Sequence, residues 1–346
     1  MLYFENDYCE GAHPAILQKL TETNFEKVSG YGTDPYCASA REKIRAACGA
    51  PDADVWFISG GTQSNAIVIA SMLQRWQGVV AAATGHVAGH EAGAIEYTGH
   101  KVITLPTTNG KITAQQVQEY VEWHRNDEST EHIVQPGMVY ISYPTEGGTL
   151  YSKAELTELY DVCRRYGLPL FIDGARLGYG VMADGADLTL PEIAHLCDVF
   201  YIGGTKVGAL FGEAVVIMNP ALKKDFRFIM KQRGGRMAKG RLLGIQFDAL
   251  FTDDLYFRIS RHADEMAYQI RDIFVSAGYP LLFDSPTNQQ YPIMPDEELA
   301  ILGKNFGYEY WERTDPTHSG VRFCASWATT QENVDALRAA VQALKK

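Results

Sequence analysis

The sequence predicts an α/β fold, with a large domain around a mostly parallel sheet and a smaller C-terminal α+β domain. Three observations predict it. Short apolar runs alternate with helical patterns through the middle of the chain. After about Pro220 the pattern changes to long helices followed by short strands. The residues with useful chemistry cluster after the ends of the apolar runs, where open α/β sheets bind ligands.

The elements follow in order. "ADVWFIS" (53–59) reads as a strand that runs into "GGTQSN" and a helix over 66–76. Strands are expected at 79–83, 101–105, 137–143, 168–173, 198–204 and 213–218. Helices are expected over 87–98, 110–124 and 152–167. The last opens with Ser152 as N-cap and Glu155 three residues on, and it ends at Gly167. Long helices are expected over 220–232 and 241–277. Short strands near 289–294, 308–312 and 320–325 and a closing helix over 331–345 complete the chain. The expected division is 1–50 as an N-terminal arm with helices near 14–23 and 37–48, 51–240 as the large domain and 241–346 as the small one. The arm is expected to lie against the small domain or a partner subunit.

Composition excludes several classes. Acids outnumber bases 42 to 31, and the resulting net charge of −11 repels phosphate backbones, so nucleic acid is not an expected partner. No apolar stretch reaches the roughly 20 residues that a membrane span needs. The opening "MLYFENDYCEG" has acids early and no basic start before an apolar run, so no signal peptide is expected. The six cysteines form no CxxC pair, which suits reduced thiols in the cytoplasm.

Four features carry chemistry. In "ISGGTQSN" (58–65), Gly61, Thr62 and Gln63 could cradle a phosphate at a helix start, and a capped strand-to-helix turn is the plainer alternative. The Walker lysine and a GxGxxG motif are both missing. In "GHVAGHEAG" (85–93), His86 and His90 have zinc-ligand spacing but no third ligand, and His86 better suits stacking on a flat ring. Lys206 follows a strand among glycines in "YIGGTKVGALFGEA"; desolvated, it would be a nucleophile towards a carbonyl, and exposed, a surface lysine. Asp173 ends the strand in "FIDGARL", where a buried acid needs Arg176, several donors or a protonated pyridine nitrogen. Together, lysine, aspartate, phosphate cradle and stacking histidine are the parts that hold pyridoxal phosphate.

The chain resembles the threonine aldolase and beta-eliminating lyase family over most of its length. The resemblance rests on "FENDYCEGAHPAIL", "GYGTDPY" (30–36), "SGGTQSN", "GHVAGHEAGAIEYTG", "FIDGARL" and "GGTKVG". It implies the pyridoxal-phosphate-dependent transferase-like fold of the aspartate-aminotransferase type, with a mostly parallel seven-stranded sheet. It further implies that Lys206 forms the Schiff base, Asp173 pairs with the pyridine nitrogen, Arg176 donates to the phenolic oxygen, His86 stacks on the ring, and Gly61 and Thr62 hold the phosphate. Asn6 stands at the family's opening serine, and Arg322 matches an arginine that holds the substrate carboxylate. Tyr31 and Asp34 would reach a neighbouring subunit's site in a homodimer or homotetramer with shared active sites.

Two segments depart from the family. "YPTEGGTLY" (143–151) places Glu146 near the position of a histidine implicated in proton transfer, so Glu146 is a candidate catalytic acid–base or a turn acid. In "GGRMAKG" (234–240), Arg236 or Lys239 stands near another family arginine. The expected reaction is cleavage of the Cα–Cβ bond of a β-hydroxy amino acid such as threonine, giving glycine and an aldehyde. The proton acceptor would be Glu146, His90 or a water. β-Elimination from a cysteine- or serine-like substrate is the alternative, ahead of an aminotransferase, a cofactor binder without turnover and a zinc hydrolase.

Overall fold

The computed structural model describes residues 1–345. A two-residue strand β1 (Leu2–Tyr3) begins the chain. Seven strands then form the large sheet: β2 (Asp54–Ile58), β3 (Gln77–Ala82), β4 (Val102–Leu105), β5 (Gln135–Ser142), β6 (Leu170–Asp173), β7 (Val199–Gly203) and β8 (Glu213–Ile217). Their spatial order is β2-β8-β7-β6-β5-β3-β4. Each matches an expected strand to within about two residues.

The sheet is parallel except for β8, which runs antiparallel to both neighbours, β2 and β7. The cause is chain length. Parallel neighbours need a crossover of a dozen or more residues, and only residues 204–212 separate β7 from β8. The chain has to turn straight back, so β8 starts at the edge where β7 ends.

Alternate residues of the strands enter two cores. Val80, Val139, Ile172, Phe200 and Val216 face one, and Val79, Met138, Phe171, Val199 and Val215 face the other. Burial on both faces explains why these strands are continuous apolar runs. A third core gathers Phe4, Ile270, Phe274 and Phe323 beneath the small sheet. That sheet consists of β9 (Gln289–Gln290), β10 (Ile293–Pro295), β12 (Glu309–Arg313) and β13 (His318–Cys324), while β11 (Phe306–Gly307) pairs with β1. The N-terminal segment therefore joins the C-terminal part through β1, and its helices Pro14–Glu22 and Pro35–Ala47 lie against helix Arg241–Leu250.

Three expected helices are broken. The helix expected over 220–232 is a 3-10 turn, Pro220–Leu222, followed by a helix, Phe226–Gln232, with Asp225 (φ 61°) left-handed between them. The helix expected over 87–98 is two single turns, His86–Gly89 and Ala94–Tyr97, because Ala92 (φ 50°) and Gly93 (φ 75°) are left-handed. The helix expected over 241–277 stops at Leu250 and restarts at Leu255, with Asp253 (φ 51°) and Asp254 (φ 54°) turning the chain. Asp tolerates this region better than most residues. The capping box at Ser152 and Glu155 is formed as expected.

Two glycines let the ends of β6 and β7 approach each other. A Cβ on Gly174 would lie 1.9 Å from the Tyr201 carbonyl oxygen, and one on Gly203 would lie 2.1 Å from that of Ala175. Both obstacles are backbone, so no rotamer change relieves them. Gly174→Ala should therefore cost about 3 kcal/mol or more, read as a fall in the denaturant midpoint at unchanged slope. An unchanged midpoint would show that the β6–β7 approach is not tight.

Candidate active site

The carboxyl edge of the large sheet encloses a cavity of about 340 Å³, a size suited to a small-molecule ligand. It is walled by Gly61 and Thr62 after β2, His86 after β3, Glu146 after β5, Asp173 and Arg176 after β6, and Lys206 after β7. Glu213, at the start of the reversed strand β8, also faces it.

Asp173 is only 4% exposed and carries four donors. Tyr140 Oη (2.6 Å) and Asn65 Nδ2 (3.0 Å) donate to Oδ2; the Ala175 N–H (3.0 Å) and Tyr201 Oη donate to Oδ1. Burial alone would raise this carboxyl, but the nearby His86 charge and the Tyr140, Tyr201 and Asn65 hydrogen bonds hold it below the ordinary aspartate range. It is a carboxylate fixed in place and kept ionised.

Arg176 is not its partner, which corrects one of the three expectations for that acid. The arginine forms a bidentate pair with Asp7, Nε to Oδ2 at 2.6 Å and Nη2 to Oδ1 at 3.0 Å. Asn288 Nδ2 also donates to Asp7 at 2.9 Å. Burial would push Asp7 up, yet Arg176 and Lys206 bring it down to about 2. Sequence reading passed over Asp7 because it fixed on its neighbour, Asn6. The Asn6 side chain accepts from the Tyr8 N–H at 3.0 Å and is not part of the cavity wall, whereas Tyr8 is.

His86 presents its ring to the cavity while Nδ1 meets Glu91 Oε1 at 2.8 Å. Burial opposes its protonation, but Glu91 and Asp173 outweigh that and raise its pKa. Asn65 Nδ2 donates to Glu91 at 2.7 Å as well as to Asp173, so one amide ties the histidine's acid to the aspartate. Asn65 closes the quoted "SGGTQSN" segment, and its role was legible only as that motif's last letter. His90 lies beside His86 (ring centroids 5.8 Å apart), but the described residues contain no cluster of metal ligands.

The first intrahelical bond of helix Gly61–Met72 runs from the Ser64 N–H to the Gly60 carbonyl, which leaves the N–H groups of Gly61, Thr62 and Gln63 to a ligand. The Gln63 side chain is turned away, bonded to Ser59 and the Arg233 carbonyl, so its contribution is its backbone. Lys206 is half-buried, and burial followed by repulsion from Arg176 lowers its pKa. Its amine points over the Tyr8 ring at 5.9 Å. Glu146 Oε1 accepts from Ser142 Oγ (2.6 Å) and the His86 N–H (2.8 Å); burial raises its pKa despite the Ser142 bond.

The remaining candidates lie outside the cavity wall. Arg322 donates to the Glu5 carbonyl at 3.0 Å, to Gln289 at 3.2 Å and to Glu309, its neighbour across β12–β13. Tyr31 sits at the surface with Lys231 4.4 Å from its ring centroid and its carbonyl on Arg236. Lys239 is exposed. Asp34 is a structural cap: it is buried and accepts from the Cys37 N–H at 2.9 Å at the start of helix Pro35–Ala47.

Residues 7–339 match the beta-eliminating lyase family. This chain belongs to that family. A low specificity L-threonine aldolase from Pseudomonas sp. (strain NCIMB 10558) is 30% identical over 99% of this chain and 97% of its own. The threonine aldolase of Leishmania major is 42% identical, covers 100% of both chains and superposes with a TM-score of 0.97. Aspartate aminotransferase of Thermus thermophilus shares only 14% identity, yet it covers 98% of this chain and 95% of its own with a TM-score of 0.71. The fold is thus of the aminotransferase type. For a member of this family, the cavity's donor set fits pyridoxal phosphate. An ionised acid faces the same space as a desolvated amine, and three free N–H groups stand at a helix start.

Removing the Asp7 charge tests how this wall is held. Asp7→Asn leaves Arg176 buried without its counter-charge and should cost about 3 kcal/mol near neutral pH. Because Asp7 is lowered to about 2 from an ordinary 3.8, its contribution is complete above the ordinary value and is lost as pH falls through the lower one. The stability gap between the two proteins should shrink as pH drops over that window, as measured by denaturant titration at several pH values. A gap that does not change with pH would show that the ion pair does not stabilise the wall.

Proposed function

We propose that this chain is a pyridoxal-phosphate-dependent aldehyde-lyase that cleaves the Cα–Cβ bond of a threonine-class β-hydroxy amino acid, giving glycine and an aldehyde. The observation that carries the proposal is that Lys206, Asp173 and the open helix start share one cavity in a chain 42% identical to the Leishmania threonine aldolase. Bound there, pyridoxal phosphate supplies the electron sink for the pair released at Cα. Lys206, whose pKa is lowered by burial and by Arg176, is the amine for its aldehyde. Asp173 holds a proton on the ring nitrogen, and its four donors keep it from taking that proton itself. His86, pinned by Glu91, offers a flat face for the ring, and the N–H groups of Gly61 and Thr62 receive the phosphate.

Glu146 is the base we assign to the substrate hydroxyl. Its carboxylate is positioned by Ser142 and the His86 N–H, and its raised pKa brings it closer to the range that suits a base near neutrality. Arg322 is the candidate for the substrate carboxylate, in exchange for Glu309. Support for a homo-oligomer comes from the exposed Phe25, Tyr31 and Phe228. No helix among the described residues is long and apolar enough to cross a membrane.

The test is to incubate the protein with threonine, allo-threonine, serine and an S-alkyl cysteine, scoring aldehyde plus glycine against keto-acid. Aldehyde and glycine from the first two are expected, and keto-acid from the last two alone would replace aldol cleavage with β-elimination. Asp173→Asn should slow cleavage by on the order of a hundredfold or more. Glu146→Gln should lose a similar factor and should abolish the acid limb of the rate profile, which the raised Glu146 pKa places above the ordinary glutamate range. Rates near those of the parent would refute both roles.

A further inference from the structure

Glu213 is the one carboxylate in the cavity wall that the proposed reaction does not use. The reversal of β8 puts this first residue of the strand at the ligand edge. Across the β2–β8 ladder its partner is Ile58, the residue that leads into the Ser59–Thr62 turn, and across β7–β8 it faces Gly203. It therefore sits between the turn that offers free N–H groups and the loop that carries Lys206. It is 3% exposed. Oε2 accepts from the Gly204 N–H at 2.9 Å and Oε1 from Thr205 Oγ1 at 2.8 Å. No basic nitrogen lies within 4.0 Å of it among the described residues. An acid with no ion-pair partner within 4.0 Å among the described residues thus lines the cavity whose open helix start would take an anion, and two negative charges close together there repel.

We propose that Glu213 receives the phosphate group as a carboxylic acid, so that binding a phosphate monoester draws one proton from solvent onto its carboxylate and weakens as pH rises. The inference rests on the reading above that the Gly61–Thr62 end takes the cofactor phosphate. Burial already pushes Glu213 up to about 7 despite the Thr205 and Gly204 hydrogen bonds, so above neutrality most of it enters binding ionised. Four other titratable groups face it. Asp173 is held ionised by its donors. Tyr201 donates a hydrogen bond to Asp173 and Tyr256 one to the Gly203 carbonyl, with burial pushing both phenols up. Burial and repulsion from Arg176 lower the Lys206 pKa, so proton uptake by Lys206 is what has to be separated from uptake by Glu213.

The experiment titrates cofactor-free protein with pyridoxine 5′-phosphate, which lacks the aldehyde and so leaves Lys206 chemistry out, and with unphosphorylated pyridoxine as control. Calorimetry at pH 8 in two buffers of different protonation enthalpy counts the protons. The wild-type protein and Lys206→Ala should each take up close to one proton with the phosphate ester and none with pyridoxine. Glu213→Gln should take up none with either. The affinity of Glu213→Gln relative to wild type should be on the order of tenfold higher at pH 8.5 and should converge near pH 6, as linkage requires. Uptake that disappears in Lys206→Ala, or an affinity ratio that is constant with pH, would overturn the role of Glu213 and leave the cofactor reading standing. Failure of the phosphate ester to bind at all would overturn both.

Discussion

A carboxylate that is buried and still ionised is the constraint on which the site depends. Asp173 is stable in that state only because Tyr140, Tyr201, Asn65 and the Ala175 N–H all point at it. Each donor comes from a different part of the large sheet or from a segment that joins it. The two phenols stand on β5 and β7, on either side of β6, and Asn65 lies on the helix that follows β2. Asn65 passes the constraint on to Glu91 and so to His86. The position of one acid thereby fixes the ring that faces it, and the close approach at Gly174 and Gly203 keeps the strand ends near enough for the network to form.

The second constraint is one of length. Because nine residues separate β7 from β8, the chain reverses, and both ends of that short loop return to the ligand edge. Lys206 and Glu213 are neighbours of one cavity for this reason. The remaining wall comes from the N-terminal segment, where Asp7 neutralises Arg176 and Tyr8 covers the lysine. That segment is tied to the C-terminal part by the β1–β11 pairing, so the residues that complete this side of the wall are remote in sequence from those that line its floor.

Much of this was legible from residues alone. The seven strands were visible because their burial on both faces leaves continuous apolar runs, and the Ser152 helix because its caps are local. Asp173, Lys206 and His86 were visible because each lies at or after a strand end, and Glu146 because it stands near the position of a family histidine. What escaped the sequence depends on non-local pairing. Asp7 meets Arg176 across 169 positions, and nothing near either residue announces it. Glu213 looks remote if β8 is taken to run with its neighbours, and only the reversal brings it into the wall. Asp34 carried a motif resemblance but serves its own helix, a local role that Pro35 and the following helical pattern do signal. The broken helices at 90–93 and 251–254 depend on left-handed residues, which composition does not separate from ordinary turns.

The most direct measurement is chemical. Pyridoxal phosphate is supplied to the purified protein, the visible spectrum is recorded, and borohydride is added before peptide mapping by mass spectrometry. A visible band that borohydride removes, with the cofactor left covalently on Lys206 and on no other lysine, is the predicted result. A protein that stays colourless, or a label carried by a different lysine, would contradict the pairing of Lys206 with Asp173 around one cofactor.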